Sequence, residues 1–282
     1  MGKIIDGRAV AAEACTGIKL RAEALCNKGV TPCLAVILVG DNPASRAYVG
    51  MKEKKAAELG INTAGYKLAA ETTEGELVEL IHKLNEDSSV HGILVQLPLP
   101  GHISEERVLM NIAAHKDVDG LHPENAGMLL TGREGFIPCT PKGCVKLVES
   151  TGTDICGKHC VVIGRSNIVG KPAAILMLAK NATVTMCHSR TEDLAGYTQD
   201  ADILISAVGV PNLVTADMIK PGAVVIDVAQ CRVDGAWRGD VDFEAALEVA
   251  SYVTPVPGGV GPMTIAMLME NTVEAAEKTL AR

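Results

Sequence analysis

Residues 163–172 of the chain read IGRSNIVGKP, a glycine turn between an apolar run and a helix-like run. The apolar run His159–Ile163 predicts a buried strand, and residues 173–180 predict a helix. The N–H groups and the positive dipole end at the start of such a helix favour a phosphate. The usual dinucleotide fingerprint is G-x-G-x-x-G, however, and Ser166 stands where its middle glycine belongs. An ordinary strand-to-helix turn therefore stays open as an alternative to a nucleotide site.

The composition favours one large or two medium α/β domains. The chain has 282 residues, of which 48% are hydrophobic and only 2% are aromatic. Its core must be built mainly from aliphatic side chains, as in parallel sheets covered by helices. The formal net charge of -8 argues against nucleic acid or an anionic membrane as a main partner.

The cysteines indicate a reduced protein without a metal site. Nine are scattered along the chain without a C-x-x-C pair, and Cys156 and Cys160 lack the second pair that a zinc site requires. Residues 1–6 lack the apolar run of a signal peptide, and no apolar stretch reaches membrane-spanning length. We therefore expect a cytoplasmic protein with free thiols.

Strand-like and helix-like segments alternate along the chain, which indicates an α/β fold. We expect helices at residues 8–28, 44–59, 73–86, 142–150 and 263–280. Further strands are expected at residues 33–39, 61–68, 92–97, 183–187, 203–207 and 224–228. Residues 116–141 read mainly as loop, and the prolines and glycines of residues 254–262 exclude regular structure there.

Three polar residues in the first half of the chain, Tyr48, Lys52 and Gln96, are candidates for proton chemistry. Tyr48 and Lys52 are four residues apart on a predicted helix and share one face. A hydroxyl beside an amine can orient a proton, and burial would favour the neutral amine that acts as a base. Gln96 ends a predicted strand, where it could bind Lys52 or a substrate. The alternatives are a solvated face, since Lys54 and Lys55 follow, and a capping amide for Gln96.

Two carboxylates, Asp117 and Asp119, form a separate candidate site. They flank Val118 in the turn of residues 116–120. Paired carboxylates there could bind a polar heterocycle or a metal ion. A metal is disfavoured because no further oxygen ligands are nearby. The alternative is an ordinary turn capped by aspartate.

The residues after the second strand of the nucleotide half bear on the choice of cofactor. In NAD-binding folds an acidic residue near this point holds the ribose 2′-hydroxyl. This chain offers Ser189 and Arg190 instead, and Arg165 adds a guanidinium in the glycine turn. These residues favour a 2′-phosphate, and hence NADP. Glu192 and Asp193 lie close enough to keep NAD open.

Taken together, these segments resemble the bifunctional methylenetetrahydrofolate dehydrogenase/methenyltetrahydrofolate cyclohydrolase family over nearly the whole chain. The matching strings are IIDG at 4–7, VGDNPAS at 39–45, Tyr48-Val49 with Lys52, VQLPLP at 95–100, KDVDG at 116–120, PCTP at 138–141, the glycine turn at 164–170 and residues 254–264. The resemblance implies an N-terminal α/β catalytic domain and a Rossmann-like NADP-binding domain, with a cleft between them.

We place the domain boundary near residues 140–150. The expected folate-binding catalytic domain covers residues 1–141, with a last helix, 263–282, packing back on it. The expected Rossmann-like NADP-binding domain covers residues 142–262.

The resemblance implies two reactions on tetrahydrofolate one-carbon derivatives, and no metal. A hydride passes from the one-carbon bridge of 5,10-methylenetetrahydrofolate to NADP, and water then opens the methenyl cation to 10-formyltetrahydrofolate. The resemblance also implies that Lys52 manages protons during hydrolysis and that Gln96 orients it. Tyr48 would position the substrate, and Asp119 would bind the N–H groups of the pterin.

In the nucleotide half the resemblance assigns Gly164, Arg165, Ser166, Gly170 and Ser189 to NADP. Arg165 and Ser189 would then bind its 2′-phosphate. A homodimer is expected on the resemblance alone.

Two further segments are implied to line the reacting groups. Pro257, Gly258 and Gly259 would form a loop against the folate, where absent side chains permit close backbone approach. Gln230 would border the nicotinamide, and there the chain departs from the family. The family usually has glycine and then isoleucine or threonine, where this chain has Ala229 and Gln230.

These departures leave alternatives to a bifunctional enzyme. The crowded backbone at Ala229 could weaken hydride transfer, which would leave a monofunctional cyclohydrolase. Met128, where arginine is common, removes a positive charge with no defined consequence. A folate- or nucleotide-binding regulator is a third possibility, but it would not require both Lys52 and Gln96.

Overall fold

The computed structural model describes residues 1–280, in which strands and helices alternate. The strands are β1 (Lys3–Ile4), β2 (Cys33–Val39), β3 (Asn62–Leu68), β4 (Gly92–Val95), β5 (His159–Ile163), β6 (Thr183–Cys187), β7 (Ile203–Ser206), β8 (Val224–Asp227), β9 (Cys231–Val233), β10 (Ala236–Arg238) and β11 (Tyr252–Val253). The helices are α1 (Gly7–Cys26), α2 (Pro43–Glu58), α3 (Glu74–Glu86), α4 (Glu105–Met110), α5 (Pro123–Leu130), α6 (Cys139–Ser150), α7 (Gly170–Ala179), α8 (Leu194–Thr198), α9 (Phe243–Val249) and α10 (Val260–Leu280), with a 3₁₀ turn at Ala216–Met218.

The chain forms two units, whose boundaries fall within α1 and α10 and just before α6. The nucleotide unit consists of residues 1–13 and 138–267. The lysine unit, which contains Lys52, consists of residues 14–137 and runs again from residue 268 to the end of the described chain.

The lysine unit is built on a parallel three-stranded sheet of order β3-β2-β4. Its central strand, β2, is buried from Leu34 to Val39, as expected for a run of aliphatic residues. Helix α3 adds Leu77 and Ile81 to the same core. Thr73 precedes this helix as its N-cap and forms a capping box with Glu76.

The nucleotide unit is built on a parallel six-stranded sheet of order β1-β11-β8-β7-β5-β6. From β5, the strand next to the edge, the chain first forms β6 on one side and then β7 on the other. This reversal of strand order is a topological switch point. The carboxyl ends of β5 and β7 at such a point border the ligand crevice of Rossmann-like sheets. The predicted α/β class and the Rossmann-like nucleotide unit are confirmed.

Two segments that were expected to be irregular contain helical residues. Residues 116–141 contain helix α5, whose first turn is capped by the His122 ring. Its eight residues are too few to give a clear periodic pattern. Helix α10 begins at Val260 rather than at residue 263. Gly261 and Pro262 are tolerated because they occupy the first turn, whose N–H groups need no intrahelical partner.

Several features bear on the excluded classes of site. All nine cysteines are free thiols. Within residues 1–280, no helix has both the length and the apolar character needed to cross a membrane. Over the same residues, no group of three or more His, Cys, Asp and Glu side chains is placed to hold a metal ion.

Candidate active site

Helix α2 places Tyr48 and Lys52 on one face, one turn apart. The helix is started by Asn42, whose side-chain oxygen accepts hydrogen bonds from the N–H groups of Ala44 and Ser45. Such a cap fixes the first turn and hence the rotation of the face that follows. Tyr48 and Lys52 are both half-buried, so neither extends freely into water.

The Lys52 ammonium is held by the side chain of Gln96. Its Nζ donates a hydrogen bond of 2.9 Å to Oε1 of Gln96. The amide is oriented in turn, because its Nε2 donates to the carbonyl of Leu97 at 2.7 Å. The Gln96 backbone N–H also donates to Ile37 on the central strand, which continues the sheet pairing beyond β4. Lys52 therefore meets a neutral acceptor whose direction is fixed by the end of a buried strand.

The two carboxylates of the turn at residues 116–120, Asp117 and Asp119, have different surroundings. Asp117 is buried, and its Oδ2 accepts from the N–H of His122 at 2.7 Å and from Nδ2 of Asn125 at 2.8 Å. Burial raises the pKa of Asp117 above its ordinary value. Asp119 is only half-buried. Asp117 thus organises the turn, and Asp119 is the carboxylate that a ligand can reach.

The same turn is fastened to its surroundings by two residues that the sequence analysis did not assign. The buried ammonium of Lys116 donates to the carbonyls of Leu84 and Asp87, and burial lowers its pKa. Asn271, on the last helix, donates through Nδ2 to the carbonyl of Val118 at 2.8 Å. Asn271 is fully buried, but in the sequence it stands between Glu270 and Thr272, so no local pattern marks it as a core residue.

The glycine turn of the nucleotide unit is closed by Ser166. Its Oγ accepts from the N–H groups of Val169 at 3.1 Å and Gly170 at 3.2 Å. Its carbonyl accepts from the N–H of Lys171, and Pro172 has no N–H. The sequence alone predicts a row of free N–H groups in the first turn of α7, and the structure does not show one. The Ser166 hydroxyl proton remains available for donation, because Oγ acts as the acceptor in both bonds.

A glycine is required at position 164 because the chain after β5 passes close to the chain after β7. It has φ of +118°, and a Cβ there would lie 2.5 Å from the carbonyl oxygen of Ala207. The loop after β7 is thus packed directly against the start of the glycine turn.

Arg165 and Ser189 occupy matching positions beyond neighbouring strands. Ile163 pairs with Cys187 in the parallel register of β5 and β6, so each residue lies two positions past its strand end. Both are exposed. Glu192 and Asp193 are the acidic residues that leave NAD as an alternative cofactor. Asp193 caps helix α8 by accepting from the N–H of Gly196.

The segments that follow β8 and β11 lie in the same unit. The N–H of Ala229 donates to Oδ1 of Asp227 at 3.2 Å. The amide of Gln230 lies beside Gly261, because a Cβ at 261 would be 2.8 Å from its Nε2. Pro257 is exposed, whereas Gly258 and Gly259 are buried.

Comparison with known proteins matches both halves of the chain to one family. Residues 5–119 match the tetrahydrofolate dehydrogenase/cyclohydrolase catalytic domain. Residues 138–280 match the NAD(P)-binding domain of the same family.

Similar proteins align over nearly their whole length. The bifunctional protein FolD of a Polaromonas species is 55% identical over 98% of this chain and 99% of its own. A crystal structure of FolD methylenetetrahydrofolate dehydrogenase/cyclohydrolase from Campylobacter jejuni is 51% identical, with a TM-score of 0.97 over 99% of this chain and 100% of that one. The Trypanosoma brucei enzyme, solved with NADP and an inhibitor, is 39% identical, with a TM-score of 0.94 over 100% and 99% of the two chains.

Proposed function

The chain belongs to the tetrahydrofolate dehydrogenase/cyclohydrolase family, and from this we propose that it catalyses two consecutive reactions. It oxidises 5,10-methylenetetrahydrofolate to 5,10-methenyltetrahydrofolate with NADP, and then hydrolyses the product to 10-formyltetrahydrofolate. The observation that carries the proposal is the hydrogen bond from Lys52 to Gln96. It holds the amine in a fixed position, as the hydrolysis reaction requires.

Lys52 is the proton-managing residue of the hydrolysis. Water attack on the methenyl carbon releases a proton, and opening of the ring requires one at the departing nitrogen. Gln96 suits this task because a neutral amide orients the amine without fixing a positive charge on it, as a carboxylate would. Tyr48, one turn before Lys52, positions the substrate. Tyr48 is half-buried on the same helix face.

Asp119 binds the pterin of the folate. The amino and ring N–H groups of a pterin form a donor edge, and a carboxylate offers acceptors only. The proposal is supported by the division of labour within the turn, where Asp117 already accepts from the protein's own donors. Pro257, Gly258 and Gly259 form the loop against the folate.

NADP is the cofactor, and when bound it accepts the hydride. We assign its 2′-phosphate to Arg165 and Ser189, two exposed donors at neighbouring strand ends. Ser166 donates its hydroxyl proton to a phosphate oxygen, since its lone pairs already accept two N–H groups. Gly164 and Gly170 shape the turn, and Gln230 borders the nicotinamide. The donors present therefore suit an anionic dinucleotide.

Assembly and location follow from the resemblance. We propose a homodimer in the cytoplasm that binds neither nucleic acid nor membrane, in keeping with the net charge of -8. Light scattering on the full chain tests the assembly, and a mass equal to one chain would contradict it.

The test of the main proposal is the absorbance of NADPH formed when folded enzyme is mixed with methylenetetrahydrofolate. Formation of both NADPH and 10-formyltetrahydrofolate supports two activities. A second candidate is a monofunctional cyclohydrolase, which the Ala229-Gln230 departure favours. In that case the methenyl compound is hydrolysed, but NADP is not reduced.

A further inference from the structure

Two buried carboxylates in the nucleotide unit are not used by the function proposed above. Asp227, at the end of β8, is 3% exposed, and Asp240 is 0% exposed. Neither can reach a ligand directly at that burial. Both side chains nevertheless accept hydrogen bonds from the loops that follow β7 and β8, so their effect on a ligand must pass through those loops.

Asp240 organises the loop after β7. Its Oδ2 accepts from Oγ of Ser206 and from the N–H of Val208, each at 2.8 Å. Its Oδ1 accepts from the N–H of Val210, also at 2.8 Å. Three donors spread over five consecutive residues therefore converge on one carboxylate, which fixes the path of the backbone between them.

Asp227 holds Asp240 in place and also reaches the loop after β8. Its Oδ1 accepts from the N–H groups of Asp240 at 3.0 Å and Ala229 at 3.2 Å. Its Oδ2 accepts from the N–H of Val241 at 2.9 Å. Gly239 permits this approach, because a Cβ at 239 would overlap Oδ2 of Asp227. The two carboxylates thus couple the loops after β7 and β8.

This arrangement is costly for folding. The six hydrogen bonds described above come from backbone N–H groups and one hydroxyl, all of them neutral donors. Burial, and to a lesser degree the charge of Asp240, raises the pKa of Asp227 to about 6. Buried charges without a charged partner are destabilising, and residues of this kind concentrate at functional sites.

The loop that Asp240 fixes lies at the expected ligand crevice. It follows β7, which pairs with β5 at the switch point of the sheet. The Ala207 carbonyl lies against Gly164 at the start of the glycine turn. Two apolar side chains of this loop are exposed, Val208 at 36% and Val210 at 48%. Exposed apolar groups beside a dinucleotide turn form a surface suited to the flat face of a ring.

We propose that Asp240 is a positioning residue for hydride transfer, which sets the loop of residues 207–210 where the nicotinamide ring must lie. Asp227 supports it by holding Asp240 and Ala229. The inference rests on the NADP-dependent activity proposed above. It concerns the placement of the nicotinamide end, whereas Arg165 and Ser189 hold the 2′-phosphate end.

The test uses Asp240→Asn in the full chain. An amide places an N–H group opposite one of the three donors and so removes one loop contact while keeping the volume. The matched control is Asp242→Asn, two residues away, whose side chain caps helix α9 by accepting from the N–H of Ala245. Ser206→Ala removes one Asp240 contact from the other side, and it keeps the proposal testable if Asp240→Asn does not fold.

Three readouts separate positioning from general damage. We expect Asp240→Asn to lower kcat for NADP reduction by about tenfold or more, because small misplacements of a reacting group are expensive. Calorimetric affinity for 2′,5′-ADP, which lacks the nicotinamide, is expected to stay unchanged, as is hydrolysis of the methenyl compound. Ser206→Ala is expected to lower kcat to a smaller extent, and Asp242→Asn to leave it unchanged.

Two results would overturn the proposal. One is an unchanged kcat in both folded variants. The other is a parallel loss of 2′,5′-ADP affinity, hydrolysis and kcat, which would indicate a merely structural role. Absence of NADP reduction by the wild-type protein would instead reject the dehydrogenase function itself.

Discussion

Nζ of Lys52 lies 2.9 Å from Oε1 of Gln96, and the amide that accepts this hydrogen bond is itself fixed by the carbonyl of Leu97. The amine comes from a helix and the amide from the end of a buried strand. Their meeting gives the lysine unit a positioned amine whose acceptor in this bond is a neutral amide.

The neutrality of Gln96 can be tested by Gln96→Glu. A carboxylate at this distance stabilises the ammonium form and raises the pKa of Lys52. We expect the hydrolysis rate near neutral pH to fall by about tenfold or more, with recovery at alkaline pH. The absorbance of the methenyl compound, followed across a pH series, measures this. Gln199→Glu, on the nucleotide unit, is the control, and an unshifted pH profile would remove the proposed tuning role.

Asp117 and Asp119, in the turn of residues 116–120, should respond differently to the same substitution. Asp119→Asn should raise the KM for the folate by about tenfold or more, since a hydrogen bond to a charged group contributes about 1.5–3 kcal/mol. Asp117→Asn should instead lower Tm, because Asp117 accepts from His122 and Asn125 inside the turn. Steady-state kinetics and thermal unfolding of both variants measure the contrast. Equal effects on KM and Tm would contradict this division.

Cofactor choice should depend on Arg165. We expect Arg165→Ala to raise the KM for NADP by about tenfold or more, while the KM for NAD changes little, because only NADP carries the 2′-phosphate. Lys171→Ala is the matched control, since Lys171 is a neighbouring exposed cation that is bonded to Asn167. Paired kinetics with the two cofactors decide it, and an equal loss with both would place Arg165 elsewhere.

Asp227 should make stability fall as the pH rises. Burial raises its pKa from 3.8 to about 6, so the folded state binds the proton more tightly than the unfolded chain. Its contribution to stability is fully present below the unfolded pKa and is lost as the pH rises through about 6. A shift of this size corresponds to about 3 kcal/mol.

Asp227→Asn removes this titration. The unfolding free energy of the wild type minus that of the variant should therefore fall by up to about 3 kcal/mol between about pH 4 and pH 7. Denaturant unfolding of both proteins over that range gives the difference. A constant difference would mean that Asp227 does not titrate there.

The elements that the sequence predicted well are those with a local pattern. The aliphatic run of β2 and the strand, turn and helix around Gly164 have periodic or turn signals, and they appear where expected. Strand β1 has no such signal. Its two residues become a strand only because they pair with β11 near the other end of the chain.

The sequence suggested candidate site residues and one of their contacts, the bond between Lys52 and Gln96, which the structure shows. The family strings point to Lys52, Gln96 and Asp119 as candidates. The sequence does not show, however, that Oγ of Ser166 accepts hydrogen bonds from Val169 and Gly170 at the start of its own helix. Asp240 was missed altogether. Its partners lie more than one element away, and only the folded chain brings them to it.

The most direct measurement is hydrolysis of 5,10-methenyltetrahydrofolate by Lys52→Met, made alongside calorimetric binding of NADP to the same protein. Lys54→Met, an exposed lysine on the same helix, is the control. We expect hydrolysis to fall by about a hundredfold or more in Lys52→Met only, with NADP affinity unchanged. Wild-type hydrolysis by a folded Lys52→Met protein would contradict the role of this lysine.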